Sequence, residues 1–182
     1  MRRIAIIGCA GAGKSTLARR IGDLLGIEVI HLDRHFWKPG WIETPREEWI
    51  EVQRKLLGGD AWVADGNYGA TMDLRLEAAD TILFLDPPRR TCLLRVLRRR
   101  VRFHGRSRPD IAPGCPEQID LAFLRWIWAF PKRSRPAILE RLERFGPGRR
   151  VEVLRNAREI ERFLGALAEA PPGRTPGGFT RS

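Results

Sequence analysis

Lysine, cysteine and tyrosine are scarce in this chain of 182 residues. Of its 33 basic residues only Lys14, Lys38, Lys55 and Lys132 are lysines, so arginine carries most of the formal net charge of +11. The three cysteines, Cys9, Cys92 and Cys115, are an odd number without a Cys-x-x-Cys pair. That spacing argues against a disulfide framework and a zinc knuckle, and it fits reduced thiols in a cytosol. No apolar run approaches the roughly 20 residues that a membrane span needs. Met1-Arg2-Arg3 leads into only four apolar residues before a glycine-rich loop, too few for a signal peptide. A soluble, cytoplasmic protein is expected.

What is present is globular in composition, 43% hydrophobic with 30% charged, which suffices for one core and one domain over residues 1–170. Short apolar runs predict strands at 3–7, 28–32, 61–64, 81–85 and 150–154. Helical patterns cover 15–25, 45–57, 73–78, 89–104, 119–130, 137–145 and 158–168. Gly26 closes the first of these, and Thr44-Pro45-Arg46-Glu47 reads as a capping box with proline at the first helical position. Residues 33–43 read as a long aromatic loop, 105–116 as an exposed flap, and the Pro- and Gly-rich 171–182 as a disordered tail. Strands alternating with helices, with no tight hairpin between them, imply an α/β fold whose mostly parallel sheet is joined by right-handed crossovers.

Gly8-Cys9-Ala10-Gly11-Ala12-Gly13-Lys14-Ser15 fits the phosphate-loop pattern G-x-x-x-x-G-K-[ST] and falls between the first strand and the first helix, where its mechanism requires it. Small residues such as Gly8, Gly11, Ala12 and Gly13 let backbone N–H groups turn inward around a phosphate. Lys14 then reaches the β and γ oxygens, Ser15 ligates Mg²⁺, and Thr16 contacts the α-phosphate. The chain has no guanine-reading N-K-x-D and no LSGGQ-like signature, and it is too short for an AAA+ architecture. The compact nucleoside or nucleotide kinase layout remains, with ATP and Mg²⁺ as its cofactors.

Two carboxylates follow the strands at the edge where α/β sheets bind ligands. Asp65, ending the third strand, either holds magnesium through water or only forms an Asp-Gly turn. Asp33, ending the second, either takes the proton of an acceptor hydroxyl or opens an Asx turn. Trp37, Trp41 and Tyr68 supply flat surfaces for a base or sugar, or anchor the loop. His31 and His35 lack a metal-ligand partner set, and the one that points along a strand reads as packed, while His104 with Cys115 is too few for a metal clip.

Nine arginines lie from Arg89 to Arg108 without one acidic residue. They predict a lid over residues 98–118 that delivers Arg98, Arg102 and Arg108 to the phosphates, with Arg133 and Arg135 beyond it; the rest form a solvated basic face. The same charge invites a regulator that binds ATP and interacts with DNA, yet no helix-turn-helix, zinc-finger or RNP-like motif accompanies it. An ATPase or switch without an acceptor is the third option.

Together, GCAGAGKST, HLDRHFWKPGW, ADGNYGATMDLRLEAADTILFLDPPR and RPDIAPGCPEQIDLAFLRWIWAFPKRSR resemble the adenylate-kinase-related DNA topology modulation proteins over residues 3–165. The resemblance implies a P-loop kinase fold with strand order 2-3-1-4-5 and ATP binding, with adenine against Arg155, Asn156 and Ala157. One departure matters. The arginine of the adenylate kinase Asp-Gly-x-Pro-Arg segment is missing from Asp65-Gly66-Asn67-Tyr68-Gly69, and Asp33 replaces the Thr-Gly-Asp motif. Asp33 thus resembles the acceptor-side aspartate of shikimate- and uridine-type kinases and favours a hydroxyl acceptor, although Arg34 or Arg75 could restore a grip on an acceptor phosphate.

Overall fold

The three central strands are buried and mostly apolar on both faces, the pattern of a parallel sheet covered on two sides by helices. In the computed structural model, which describes residues 1–169, five strands form that sheet: β1 (Arg3–Gly8), β2 (Val29–His31), β5 (Trp62–Asp65), β6 (Thr81–Leu85) and β7 (Arg150–Leu154). Their order is β2-β5-β1-β6-β7, all neighbours parallel, which is the expected 2-3-1-4-5 once a separate small hairpin is set aside. The tail expected at 171–182 lies outside the described residues.

Helices α1 (Lys14–Leu25), α3 (Arg46–Leu56), α4 (Met72–Ala78), α5 (Arg89–Arg102), α6 (Leu121–Arg133), α7 (Arg135–Phe145) and α8 (Ala157–Glu169) fall close to the expected segments. Gly26 caps α1 in the left-handed conformation, as its sequence position predicts. The core of Ile4, Ile6, Leu17, Ile21, Trp62, Ile82 and Phe84 is fully buried where these helices meet the sheet.

Four expectations are corrected. Residues 33–43 are not one loop: they hold the short helix α2 (Leu32–Phe36) and the antiparallel hairpin of β3 (Trp37–Lys38) and β4 (Ile42–Glu43). Thr44 does not cap α3. Its hydroxyl donates to Phe36 O at 2.6 Å, closing the hairpin, and Pro45 takes the N-cap position. α6 runs past Pro131 because that residue lacks only its own N–H, and Ser134 N still donates to Phe130 O at 3.0 Å. Residues 105–116 are not a fully exposed flap, since Ile111, Ala112 and Cys115 are buried in a small second core with Trp37 and Trp41 against it.

Arg75, a candidate grip for an acceptor phosphate, is instead a tie inside the fold. Fully buried, it donates to Gln53 Oε1 at 2.5 Å and to the carbonyls of Asn67 and Thr71 at 3.2 and 3.3 Å. Burial lowers its pKa to about 10, so it keeps its charge at neutral pH. Arg75→Leu strands these acceptors, and we expect a loss of roughly 3 kcal/mol in unfolding free energy, read in urea titrations.

Candidate active site

Two close approaches shape the phosphate loop between β1 and α1. A Cβ on Gly8 would stand 2.4 Å from Leu85 O, and one on Gly11 would stand 2.4 Å from Cys92 O, both at positive φ, so only glycine fits either place. Gly8 N donates to Asn67 Oδ1 at 3.3 Å, Lys14 Nζ donates to Cys9 O at 2.9 Å, and Arg95 reaches across to Ala12 O at 3.0 Å. The Cys9 thiol faces Cys92 in a buried contact, and that hydrogen bond together with burial pushes it up, so it stays a neutral thiol.

Registry within the sheet builds the next part. β1 pairs with β5 and β2 pairs with β5, which places His31 directly beside Asp65. Asp65, only 4% exposed, accepts from Ser15 Oγ at 2.6 Å through one oxygen and meets His31 Nδ1 at 2.5 Å through the other. His31 is packed, as expected, and it also fixes the rotation of this carboxylate. Asp65 and Ser15 form an oxygen pair of the hard type that a magnesium ion accepts. No cluster of three or more His, Cys, Asp or Glu exists among the described residues, so such an ion would draw most of its ligands from phosphate oxygens and water.

Asp33 sits in α2, two residues past β2, and opens on the same cleft. Tyr68 donates its hydroxyl to Asp33 Oδ1 at 2.6 Å. Burial pushes the Asp33 carboxyl above its usual range, against the opposing pull of the Tyr68 hydroxyl, Lys14 and Arg108. Burial and the Asp33 charge also push the Tyr68 hydroxyl up, so it remains a donor. A carboxylate of raised pKa near a lysine is placed to act as a base.

Gly11, Gly13, Lys14, Ser15, Thr16, Asp33, Trp37, Trp41, Asp65, Tyr68, Arg98, Arg102 and Arg108 all border a single cleft of about 1500 Å³. That exceeds the roughly 300–1,000 Å³ of a one-ligand pocket and leaves room for two substrates side by side. Gly8 and Ala12 of the loop are buried and do not border the cleft. Arg98 and Arg102 have no carboxylate partner among the described residues, whereas Arg108 is buried and paired with Asp110 at 2.9 Å and Glu117 at 2.5 Å. The expected set of three free lid arginines is thus two free and one neutralised. Arg133 borders the cleft, but Arg135 turns away to Asp86 at 2.8 Å, and the exposed Arg34 is not part of the lining.

Arg155 and Asn156 do not border the cleft. Asn156 Oδ1 accepts from Glu159 N at 3.0 Å, and Glu159 reaches back to Arg155 N at 2.7 Å, a capping box at the start of α8. Sequence reasoning passed over Asp110, which borders the cleft within reach of Ser15. Burial pushes its carboxyl up, but Arg108, a backbone N–H and Ser15 outweigh this and hold it below the usual range. Its nearness to Ser15 depends on a chain reversal of about 95 residues, which no local pattern announces.

No protein-family model matches the chain, and no curated protein sequence matches it. Among solved structures, shikimate kinase from Acinetobacter baumannii in complex with shikimate is similar over 92% of this chain and 90% of that one, with a TM-score of 0.57 and 20% identity. Deoxyadenosine kinase from M. mycoides is similar with bound dCTP (TM-score 0.45, 15% identity) and with bound dATP (TM-score 0.47, 14% identity), over 92% of this chain and 99% of that one each time. The first likeness is one of fold: this chain has the five-stranded parallel sheet and flanking helices of the shikimate-kinase type of P-loop protein.

Proposed function

We propose that this protein is a P-loop phosphotransferase that moves the γ-phosphoryl group of Mg-ATP to a hydroxyl of a small acceptor. The observation that carries the reading is the single cleft in which a phosphate loop with Lys14 faces a second carboxylate, Asp33, oriented by Tyr68 and separate from the Ser15 and Asp65 pair. A loop that only bound or hydrolysed ATP would have no use for a buried acceptor-side base.

Ser15 and Asp65 would hold the magnesium ion, which when bound neutralises charge on the β and γ oxygens. Lys14 and the loop N–H groups grip the phosphates, while Arg98 and Arg102, free of carboxylates, meet charge that spreads over the equatorial oxygens. Asp33 accepts the acceptor's proton at Oδ1 or Oδ2 as the new P–O bond forms, and Tyr68 keeps that carboxylate turned toward the cleft. Trp37, Tyr68, Phe123 and Trp126 border the cleft and offer the acceptor aromatic surfaces. Arg75 is spent inside the fold and Arg34 lies outside the lining, so neither grips an acceptor phosphate, which favours a hydroxyl as the acceptor's reacting group. The DNA-regulator reading loses support because several of the arginines that invited it are paired within the fold: Arg95 on Ala12 O, and Arg99 and Arg108 on Glu117.

The test is ATP consumption with a panel of nucleosides, nucleotides and small hydroxyl metabolites. One compound should accelerate turnover in the wild type and fail to do so in Lys14→Ala and Asp33→Asn. Equal turnover with every compound and without any would overturn the reading. Ser15→Ala should raise the magnesium concentration for half-maximal rate by about tenfold, checked by titrating Mg²⁺ at fixed ATP.

A further inference from the structure

The part of the chain read as a lid and the hairpin on the acceptor side lie some 75 residues apart in sequence, yet they share a core of their own. Ile111, Ala112 and Cys115 are buried outside the main core, and Trp37 and Trp41 of the hairpin pack against them. Three polar contacts join the same two segments: Gly40 N donates to Gly114 O at 3.0 Å, Trp41 Nε1 to Pro116 O at 3.0 Å, and Cys115 Sγ to Lys38 O at 3.3 Å. The fit is close, because a Cβ on Gly114 would stand 3.0 Å from Pro39 Cβ.

Among the described residues Trp41 is also the one non-glycine residue whose φ lies in the left-handed region, at 64°. A bulky side chain in that region is strained, and such strain persists where surrounding contacts over-determine the residue. Here those contacts are the edge-on packing of Trp37, whose ring centroid lies 5.2 Å away, and the bond to Pro116. Just ahead of Ile111, the same segment brings Arg108 and Asp110 to the cleft. The hairpin begins directly after α2, which carries Asp33. A movement of either segment is therefore transmitted to a group at the phosphates and to a group at the acceptor.

We propose that Trp41 is a positioning residue, a latch through which the acceptor-side hairpin and the lid move as one body, so that closing over the nucleotide also shapes the acceptor pocket. The proposal rests on the phosphotransferase reading for its nucleotide half and on the contacts alone for the latch. Lid and acceptor site become coupled sites, and coupling of this kind is reciprocal.

Hydrogen exchange on the full chain tests both halves. In the ligand-free protein Trp41→Phe, which keeps a ring and loses the N–H donor, should speed exchange across residues 111–117 by about fivefold or more. Gly114→Ala should do the same across residues 37–43, while β1, β5 and β6 exchange as in the wild type. With magnesium and a non-hydrolysable ATP analogue, exchange in the wild type should slow in both segments. In Trp41→Phe it should slow in the lid alone, and the analogue should bind about fivefold more weakly or worse. A segment indifferent to the substitution in the other overturns the latch, and so does a wild-type hairpin unchanged by an analogue that binds. A wild type that binds no analogue overturns the phosphotransferase reading and the nucleotide half with it, and the ligand-free arm still decides the latch.

Discussion

Asp33→Asn should lower phosphoryl transfer by roughly 10²–10⁴-fold at neutral pH, the range over which a positioned base contributes, while leaving nucleotide affinity close to that of the wild type. The asparagine keeps the shape of the carboxyl and can still meet the Tyr68 hydroxyl, so the loss reports the missing proton acceptor rather than a collapsed pocket. A second effect runs in the opposite direction. Burial raises the Asp33 pKa in the folded state, so the folded protein binds a proton more readily than the unfolded chain does. Its stability contribution is therefore present below the unfolded pKa and lost as pH rises through the folded one, and at neutral pH the buried charge is a cost. Asp33→Asn removes that cost, and its melting temperature should exceed that of the wild type at pH 7 by calorimetry. A slower and more stable variant is the signature of a base held in an unfavourable place for function.

The pH profile carries the same logic. The active form of Asp33 is the carboxylate, so the acid limb of kcat/KM falls as pH drops through a pKa above the ordinary aspartate range. The Tyr68 hydroxyl opposes that shift, because its bond to Asp33 favours the ionised form. Tyr68→Phe should therefore move that limb further upward, with a loss of rate at pH 6 larger than the loss at pH 8.

Lys14→Ala should lower transfer by roughly 10³-fold and weaken nucleotide binding as well, which separates it from Asp33→Asn. Among the described residues Lys14 is the only lysine bordering the cleft, and its ammonium donates to Cys9 O at 2.9 Å. Arg98 and Arg102 stand on α5 and cannot replace a point charge held over the loop itself. Calorimetric titration with the ATP analogue measures the affinity, and single-turnover transfer measures the rate.

Much of this was legible in the sequence for physical reasons. Parallel strands buried on both faces must be apolar runs, and a phosphate loop must be small residues between a strand and a helix, so β1, β6, α1 and residues 8–15 declare themselves. Asp65 and Asp33 were legible because strand ends meet at one edge of such a sheet. The hairpin was not. Pro39-Gly40 is a turn signal, but the aromatic and charged residues around it hide a strand pair of two residues each, and the positive φ of Trp41 has no sequence mark. Residues 105–116 read as exposed because their Gly, Pro and Asp break every period. What buries Ile111, Ala112 and Cys115 is a pair of tryptophans some 75 positions away. Thr44 had the right neighbours for a cap and spent its hydroxyl on Phe36 instead, a tertiary contact outcompeting a local one. Charge counting likewise left Arg108 free, whereas Asp110 within the flap and Glu117 just beyond it neutralise it.

The most direct test of a hydroxyl acceptor activated by Asp33 is the chemistry of the bond that the transferred group forms. With γ-labelled ATP and the compound that stimulates turnover, the label should appear in an acid-stable phosphate ester, and Asp33→Asn should abolish it. Label found only in inorganic phosphate, or in an acid-labile anhydride on a second phosphate, would contradict the account.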